Sequence, residues 1–327
     1  MMRAATYTRT GPAREVLHVS EFPKPEPAAG EVRVRIATSG VNPSDVKRRD
    51  ASPFGKPAEF PVVIPHSDGA GTIDAVGAGV SPERIGERVW TFNAQYRRPF
   101  GTAAEYCALP SAFAVHLPDT TDFAAGACLG VPALTAYHAI MLDGTVRGKT
   151  LLVQGGAGAV AFYAIQFAKL DGATVITTVS SNAKAERARS AGADHVVNYR
   201  TEDVRARVGE ITDGAGVERI IEVDLKANAM TYPGLIVQHG KVVVYGSGTG
   251  PITIPSFIPL STTLQFILVY TLNDAQRATY TAAVNELLAA NKIRHAIAEH
   301  FPLARIVAAH EAVEAGAFGN VVVDIPG

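Results

Sequence analysis

A run of strand-forming residues that ends in a glycine-rich turn constrains the fold of this chain more than any other feature. Residues 151–161 are Leu-Leu-Val-Gln-Gly-Gly-Ala-Gly-Ala-Val-Ala, and a helix-compatible segment, Phe162 to Leu170, follows at once. A strand, a tight turn and a helix start present free backbone N–H groups and the positive end of a helix dipole to a phosphate. The spacing Gly156-x-Gly158-x-x-Ala161 fits the dinucleotide-binding fingerprint, which accepts Ala at its last position. The pattern therefore predicts a dinucleotide site, although a plain strand-to-helix connection without a ligand uses the same kind of turn.

The chain after residue 150 alternates apolar strands with helices. The predicted strands are 151–153, 174–179, 195–197, 219–223 and 241–245. The first helix between them starts near residue 160, and the next three cover 184–190, 201–209 and 227–237. Continuous apolar strands that alternate with helices indicate a parallel sheet covered on both faces. We therefore predict an α/β fold with a Rossmann, doubly wound parallel sheet.

The two ends of the chain have a different pattern. The first 120 or so residues suggest short strands between turns, at Val32–Ile36, Gly69–Val80, Arg88–Phe92 and Ala103–Leu109. The tail contains a β-type run, a helix and a closing strand, predicted at Leu264–Tyr270, Ala275–Ala290 and Gly319–Ile325. We expect a β-rich domain over 1–125, a nucleotide-binding domain over 126–262, and a segment over 263–327 that returns to the first domain and makes it discontinuous.

Composition excludes several classes of protein. The chain has 327 residues, 47% of them hydrophobic and 19% charged, which suits about two globular domains. The net charge of −1 and the absence of a run of like charges give no support for a nucleic-acid or membrane-surface partner. We see no signal peptide and no apolar run of bilayer length. Cys107 and Cys128 are the two cysteines, so two free thiols in the cytoplasm are expected, with a single disulfide as the alternative.

The end of the second predicted strand indicates which dinucleotide binds. Sites selective for NAD place an acidic residue about 20 positions after the glycines, where it accepts from the ribose 2′-hydroxyl. Here the strand ends Thr178-Val179-Ser180-Ser181 without a carboxylate, and Lys184 and Arg187 follow. Hydroxyls and a lysine accommodate a 2′-phosphate that a carboxylate would repel. The sequence thus predicts NADPH, although both cations also suit a solvated helix face.

Three segments make the chain resemble the medium-chain dehydrogenase/reductase superfamily. They are Ser39-Gly40-Val41-Asn42-Pro43-Ser44-Asp45, Gly130-Val131-Pro132-Ala133-Leu134-Thr135-Ala136-Tyr137, and Ile220-Ile221-Glu222 with Tyr245-Gly246-Ser247. The combination is most similar to the zinc-free quinone oxidoreductase branch that includes zeta-crystallin, over essentially the full length. The resemblance implies that the β-rich domain is GroES-like and that the protein is an oxidoreductase.

The same resemblance argues against zinc. Metal-dependent relatives place a Cys near Asn42-Pro43 and a His-Glu pair at Ser67-Asp68, and many have a four-cysteine loop that two distant cysteines cannot replace. His66 sits one position early, so it is expected to be a hydrogen-bonded turn residue and not a ligand. No metal ligand and no catalytic acid, base or nucleophile is predicted.

The resemblance also assigns residues to the cofactor and the substrate. Asn42 and Lys47 would lie at the substrate end, and Thr135 beside the nicotinamide. The other expected cofactor residues are Gly158, Ala159 and Val160 at the pyrophosphate; Ser180, Ser181, Lys184 and Tyr199 at the adenosine phosphate; Lys226, Val244, Tyr245, Gly246 and Ser247 along the far half; and Phe266, Ile267, Leu268 and Val269 at the carboxamide.

This sequence departs from the family pattern at a few positions. Relatives often have Gly at the positions of Ala159 and Ala161, and a Tyr where this chain has Lys47. Asn320 stands where Lys is common. The Lys47 change bears most directly on the identity of the substrate.

The absence of a Lewis acid favours an acceptor that is easily reduced. Reduction of a simple ketone must stabilise an alkoxide, whereas hydride addition to a quinone or a conjugated carbonyl gives a delocalised anion. We therefore expect NADPH:quinone reduction, with enoyl or enone reduction as the alternative. A non-enzymatic role, such as that of a nucleotide- or RNA-binding crystallin, is a second alternative. By analogy with relatives, Val242–Tyr245 and Leu264–Tyr270 would be edge strands of a homodimer or homotetramer.

Overall fold

The computed structural model describes residues 1–50, 58 and 60–326 of the chain. Its strands are β1 (Met2–Thr6), β2 (His18–Phe22), β3 (Glu31–Val41), β4 (Asp68–Val76), β5 (Arg88–Thr91), β6 (Tyr106–Pro110), β7 (Ala114–His116), β8 (Thr150–Val153), β9 (Thr174–Val179), β10 (His195–Asn198), β11 (Val217–Glu222), β12 (Ile236–Val244), β13 (Thr263–Phe266), β14 (Ile297–Pro302) and β15 (Asn320–Asp324). Its α-helices are α1 (Ala13–Val16), α2 (Pro43–Asp50), α3 (Phe123–Gly126), α4 (Leu134–Met141), α5 (Ala159–Leu170), α6 (Asn182–Ser190), α7 (Val204–Ile211), α8 (Leu225–Asn228), α9 (Asp274–Ala289) and α10 (Ile306–Glu314). None of these helices has both the length and the apolar character needed to cross a membrane.

The chain forms two compact units. The first contains Met1–Leu134 and the residues from Asn273 onward, and the second contains Thr135–Leu272. Both borders lie later than the sequence suggested. The segment 126–134 belongs to the first unit, where the Val131 N–H donates to Asp68 Oδ2 at 2.7 Å. The segment 263–272 belongs to the second unit, because β13 pairs with β12 there and does not return to the first unit.

The first unit is built on a mostly antiparallel sheet in which β3 is the central strand and only β14 and β15, among the described strands, pair in parallel. The order is β14-β15-β3-β4-β5-β7, and β1 and β2 form a separate ribbon. One edge of β3 pairs with β4; the other pairs with β6 over Glu31–Arg35 and with β15 over Thr38–Val41. The strand β15, near residue 320, thereby completes a sheet whose central strand begins at Glu31.

The second unit is a six-stranded parallel sheet in the order β10-β9-β8-β11-β12-β13 among the described residues. Chain order therefore reverses between β8 and β11, as in the doubly wound dinucleotide fold, and ligands of such sheets bind at the carboxyl ends of the strands near this reversal. The Rossmann part of the predicted fold class is confirmed. The inner strands are largely apolar and buried, with Leu152, Ile176 and Val242 each 0% exposed.

Two predictions about the edge of this sheet need correction. Val242–Val244 lies inside the sheet, because β12 pairs with β11 on one side and with β13 on the other. The predicted run Leu264–Tyr270 is a strand only to Phe266, and a 3₁₀ turn covers Val269–Thr271. Only β13 is an edge strand on this side of the sheet in the described part of the chain. The sequence also did not predict α2, α10, β1, β2, β7 or β14.

Candidate functional site

The glycine turn after β8 has the geometry expected of a phosphate-binding turn. Gly155 has φ of +69°, which favours glycine, and its N–H donates to Thr178 Oγ1 at 3.1 Å. A Cβ at Gly156 would lie 2.2 Å from Thr177 Oγ1, so no side chain fits there. α5 begins at Ala159, and its N-cap Gly158 provides no side-chain hydrogen bond. The first N–H groups of α5 therefore have no partner within the helix and suit an anion.

The two alanines that follow the glycines, Ala159 and Ala161, occupy different positions in α5. Ala159 is the first residue of α5, which begins slightly earlier than the sequence suggested. Ala161 is 0% exposed, so its small side chain lets α5 pack closely on the sheet. Val160 lies between them in the first helical turn. These positions agree with a backbone role for Gly158, Ala159 and Val160, which stays a prediction.

Gly156→Ala is expected to destabilise the protein by about 1–3 kcal/mol, because its methyl group overlaps Thr177. Thr177 cannot turn away without losing its hydrogen bond to the Val153 carbonyl at 2.6 Å. Urea unfolding measures the loss. The matched control is Gly158→Ala, whose Cβ would approach only the Gly155 carbonyl, at 3.3 Å. Adding Thr177→Ala should restore most of the stability; a double variant as unstable as Gly156→Ala would contradict the overlap.

Three of the four residues predicted at the adenosine phosphate directly follow the neighbouring parallel strands β9 and β10, and the fourth, Lys184, lies in the first turn of α6. Ser180 follows β9, and its Oγ accepts from Lys184 Nζ at 3.1 Å. Ser181 is the N-cap of α6, where its Oγ accepts from the Lys184 N–H at 3.4 Å. Tyr199 follows β10, is 52% exposed, and donates its N–H to the Val179 carbonyl at 3.0 Å. The structure thus brings these residues together and puts no carboxylate at the end of β9.

The residues predicted along the far half of the cofactor lie in two loops at the same edge of the sheet. Tyr245, Gly246 and Ser247 follow β12, and Lys226 lies in α8 after β11. The Lys226 amine donates to the Thr249 carbonyl at 2.8 Å. Val244 differs from the others, since its side chain is 2% exposed and its carbonyl accepts from the Ile267 N–H at 2.9 Å. Val244 therefore contributes packing inside the strand.

The last predicted cofactor segment follows this edge of the sheet. Phe266 ends β13 and is 60% exposed, and Leu268 is 52% exposed. Val269 is buried, and the Leu268 carbonyl accepts from the Thr271 N–H at 3.0 Å. Thr135, predicted beside the nicotinamide, lies in the first turn of α4 and is 5% exposed.

The two predicted substrate residues lie in the first unit and do not converge. Asn42 is 4% exposed; its N–H donates to Asp45 Oδ2 and its Nδ2 donates to Asp68 Oδ2, both at 2.8 Å. Lys47 is an exposed residue of α2. Burial raises the pKa of Asp45 to about 6 and that of Asp68 well above its usual value. A rigid network therefore fixes Asn42, whereas Lys47 stays outside it.

His66 is a hydrogen-bonded turn residue. It has φ of +79°; its Nδ1 lies 2.8 Å from Ser39 Oγ, and its Nε2 lies 3.0 Å from His310 Nε2. Both rings are 0% exposed, and burial lowers the pKa of His66 to about 3 and that of His310 well below its usual value. The sequence did not identify His310, because the pair is separated by 244 positions.

A second missed group is Glu222, a buried carboxyl group at the end of β11. Its signal was available: it is an acidic residue directly after the apolar pair Ile220-Ile221 near the end of a predicted parallel strand. The two cysteines are buried and free, and burial raises the pKa of the Cys107 thiol to about 12, which disfavours reactivity.

Comparison with known families matches both units. Residues 28–119 match the family described as "Alcohol dehydrogenase GroES-like domain", and residues 159–289 match the family described as "Zinc-binding dehydrogenase".

Curated relatives match over most of the chain. A quinone oxidoreductase of Pseudomonas aeruginosa is 34% identical over 73% of this chain and 72% of its own length. Human quinone oxidoreductase is 28% identical over 98% of this chain and 97% of its own length. A 2-haloacrylate reductase of a Burkholderia species is 28% identical over 95% of each chain.

Solved structures match over nearly the full length. A mycobacterial protein in complex with NADPH has a TM-score of 0.86 and 28% identity, covering 99% of this chain and 100% of its own. Escherichia coli quinone oxidoreductase in complex with NADPH has a TM-score of 0.84 and 25% identity, covering 98% of this chain and 99% of its own.

The donor set of this chain does not fit the zinc ion that one family description mentions. Within the described ranges, no three His, Cys, Asp or Glu side chains come together as a metal site. Both ring nitrogens of His66 are engaged by Ser39 and His310. Asp68 Oδ2 already accepts from Asn42 Nδ2 and from the Val131 N–H, at 2.8 and 2.7 Å.

Proposed function

This chain belongs to the quinone oxidoreductase family of medium-chain dehydrogenases/reductases, and we propose that it transfers a hydride from NADPH to a quinone without a metal ion. The observation that supports the proposal most directly is the end of β9. There a hydroxyl and a lysine, Ser180 and Lys184, replace the carboxylate that NAD-selective sites use.

The second unit fits a dinucleotide. The turn over Gly155–Gly158 leaves a cradle that a Cβ at Gly156 would fill, and the start of α5 offers unpaired N–H groups for the pyrophosphate. Ser180 and Lys184 provide a hydroxyl and a positive charge for the 2′-phosphate, and exposed Tyr199 lies on the neighbouring strand end. Bound NADPH supplies the hydride.

The residues of the chain would act mainly by binding and orientation. Hydride addition to a quinone gives a hydroquinone anion that is delocalised, so no catalytic acid is needed to form it and solvent can deliver the proton. Asn42 is the proposed acceptor contact, because Asp68 and Asp45 fix its orientation from two sides. We expect the rate to come mainly from holding the two reactants in one geometry.

The test is a steady-state assay with NADPH and NADH against 1,4-benzoquinone, a naphthoquinone and a panel of enones. We expect turnover of quinones with NADPH. In parallel fluorescence titrations, NADPH should bind at least about tenfold more tightly than NADH. Inactivity toward every quinone would overturn the proposed reaction. A preference for NADH would overturn the assignment of Ser180 and Lys184. Elemental analysis of the active protein should find no stoichiometric zinc.

Reduction of an electron-poor alkene is the second candidate. The observation in its favour is the Burkholderia relative, a 2-haloacrylate reductase that matches 95% of this chain. Such an alkene also accepts hydride to give a delocalised anion. The enone arm of the same assay separates the two: turnover of enones with no turnover of quinones favours this candidate.

We also propose self-association through the β13 edge. β13 has one partner strand in the described part of the second unit, and Phe266 and Leu268 expose apolar surface beside it. An unpaired strand edge with exposed apolar side chains suits pairing with a second copy across a two-fold axis. A homodimer or homotetramer is the expected state, and the mass in solution decides between these and a monomer.

A further inference from the structure

Glu222 places a carboxyl group inside the second unit at the edge where the nucleotide is proposed to bind. It is the last residue of β11 and is 0% exposed. The preceding residues, Ile220 and Ile221, are also fully buried. Burying a carboxyl group among apolar residues is costly unless its oxygens accept hydrogen bonds, so its partners indicate what it stabilises.

The partners of Glu222 belong to the segment that follows β11. Its Oε1 accepts from the Asp224 N–H, and both carboxyl oxygens accept from Asn228 Nδ2, at 3.1 and 3.2 Å. One carboxyl group thus fixes both the start and the end of the segment 224–228, which includes α8. This segment also contains Lys226.

The segment fixed by Glu222 is joined in turn to the loop after β12. The Leu225 N–H donates to the Gly246 carbonyl and the Lys226 N–H to the Ser247 carbonyl, both at 3.2 Å. The loops also approach closely, since a Cβ at Gly246 would lie 2.1 Å from the Val223 carbonyl oxygen. The backbone of Glu222 takes part as well, because its carbonyl accepts from the Tyr245 N–H at 3.0 Å.

We propose that Glu222 is a positioning residue for NADPH: its carboxylate holds the loops after β11 and β12 in the form that binds the cofactor, and its protonation loosens them. The inference rests on the proposed function. In this proposal the buried Glu222 carboxylate determines where Lys226 and Tyr245–Ser247 lie. Glu222 itself does not contact the cofactor.

Protonation of Glu222 is accessible near neutral pH. Burial raises its pKa to about 7, opposed by the hydrogen bonds from Asp224 and Asn228. The charge of Asp224 adds to the increase, and the Tyr245 hydroxyl interacts with Glu222. The nearby cation is Lys226, whose amine donates a hydrogen bond to the Thr249 carbonyl. A protonated carboxyl group accepts fewer hydrogen bonds, so the Asp224 N–H or the Asn228 amide loses its partner.

The experiment is a fluorescence titration with NADPH between about pH 6 and about pH 8.5, on the wild type and on Glu222→Gln. The wild type should bind about fivefold more weakly at the acid end. Glu222→Gln should bind about fivefold more weakly than the wild type at the alkaline end, because its amide nitrogen faces the Asn228 donor. It should show only the pH dependence of the 2′-phosphate, whose second pKa is about 6.

Two further variants separate positioning from a general loss of structure. Glu218→Gln removes an exposed carboxylate from the opposite end of β11 and should keep the wild-type profile. Asn228→Ala removes a hydrogen bond that lowers the pKa of Glu222, so the change in affinity should move to higher pH. This shift distinguishes the proposal from simple destabilisation, which would leave the midpoint where it is.

The outcomes are distinct. Wild-type binding with a profile identical to that of Glu222→Gln would overturn the role of Glu222 and leave the proposed function intact. An unmoved midpoint in Asn228→Ala would also overturn it. A wild type that binds no NADPH at any pH would overturn the proposed function, and this inference with it.

Discussion

Replacing Ser180 with aspartate is expected to weaken NADPH binding about 100-fold, or about 2.7 kcal/mol, with little or no loss in NADH binding. The new carboxylate would take the place of the hydroxyl that accepts from Lys184 Nζ at 3.1 Å. It would pair with that amine and repel the 2′-phosphate. Toward NADH it would act as the missing acceptor for the ribose 2′-hydroxyl.

Parallel fluorescence titrations with the two nucleotides measure this change in preference. Ser190→Asp is the matched control, since it adds the same charge at the exposed C-terminal end of α6. Equal losses for NADPH and NADH in Ser180→Asp would mean that the variant disturbs the fold instead of the specificity. An unchanged NADPH affinity would place the 2′-phosphate elsewhere.

Replacing His310 with glutamine is expected to make the protein less sensitive to acid. His66 and His310 are buried as neutral rings, with the pKa of His66 lowered to about 3 and that of His310 well below its usual value. The unfolded chain takes up protons below about pH 6.5 and the folded chain does not, so stability falls as the pH decreases through this range. Each such histidine contributes up to about 1.4 kcal/mol per pH unit to the slope.

The glutamine side chain can keep one hydrogen bond to His66 Nε2 while removing one titrating group. Urea unfolding at about pH 7, 6 and 5 should therefore show a slope for His310→Gln that is smaller, by up to about 1.4 kcal/mol per pH unit between pH 6 and pH 5 and by less between pH 7 and pH 6. The raised pKa values of Asp45 and Glu222 act in the opposite direction, but they are common to both proteins and cancel in the difference. His18→Gln, at an exposed position of β2, is the control. Equal slopes for the wild type and His310→Gln would contradict the neutral buried pair.

The second unit was the most predictable part of the fold. The strands β8, β9, β10 and β11 contain short apolar runs and each is followed by a helix, so the pattern along the chain predicts this part of the architecture. The glycine turn could also be predicted from local sequence. Gly155 is needed for a positive φ angle, and Gly156 is needed because the backbone lies close to Thr177.

What sequence reasoning missed depends on contacts between distant residues. β12 was assigned to a sheet edge because nothing in its own residues states that β13 pairs beyond it. His66, just before β4, and His310, in α10, become partners only through a contact between segments 244 positions apart. The Asn42–Asp68 contact likewise joins residues from separate elements. Such pairings follow from topology, so local periodicity could not reveal them.

The position of β15 sets an order for events during protein synthesis. β3 has its partners β4 and β6 within the first 110 residues, but its Thr38–Val41 edge pairs with a strand that ends at Asp324. A nascent chain must therefore keep that edge unpaired while the whole of 135–272 leaves the ribosome. The second unit, whose strands are contiguous in the chain, can fold during this time. The first sheet closes only when β15 has been synthesised.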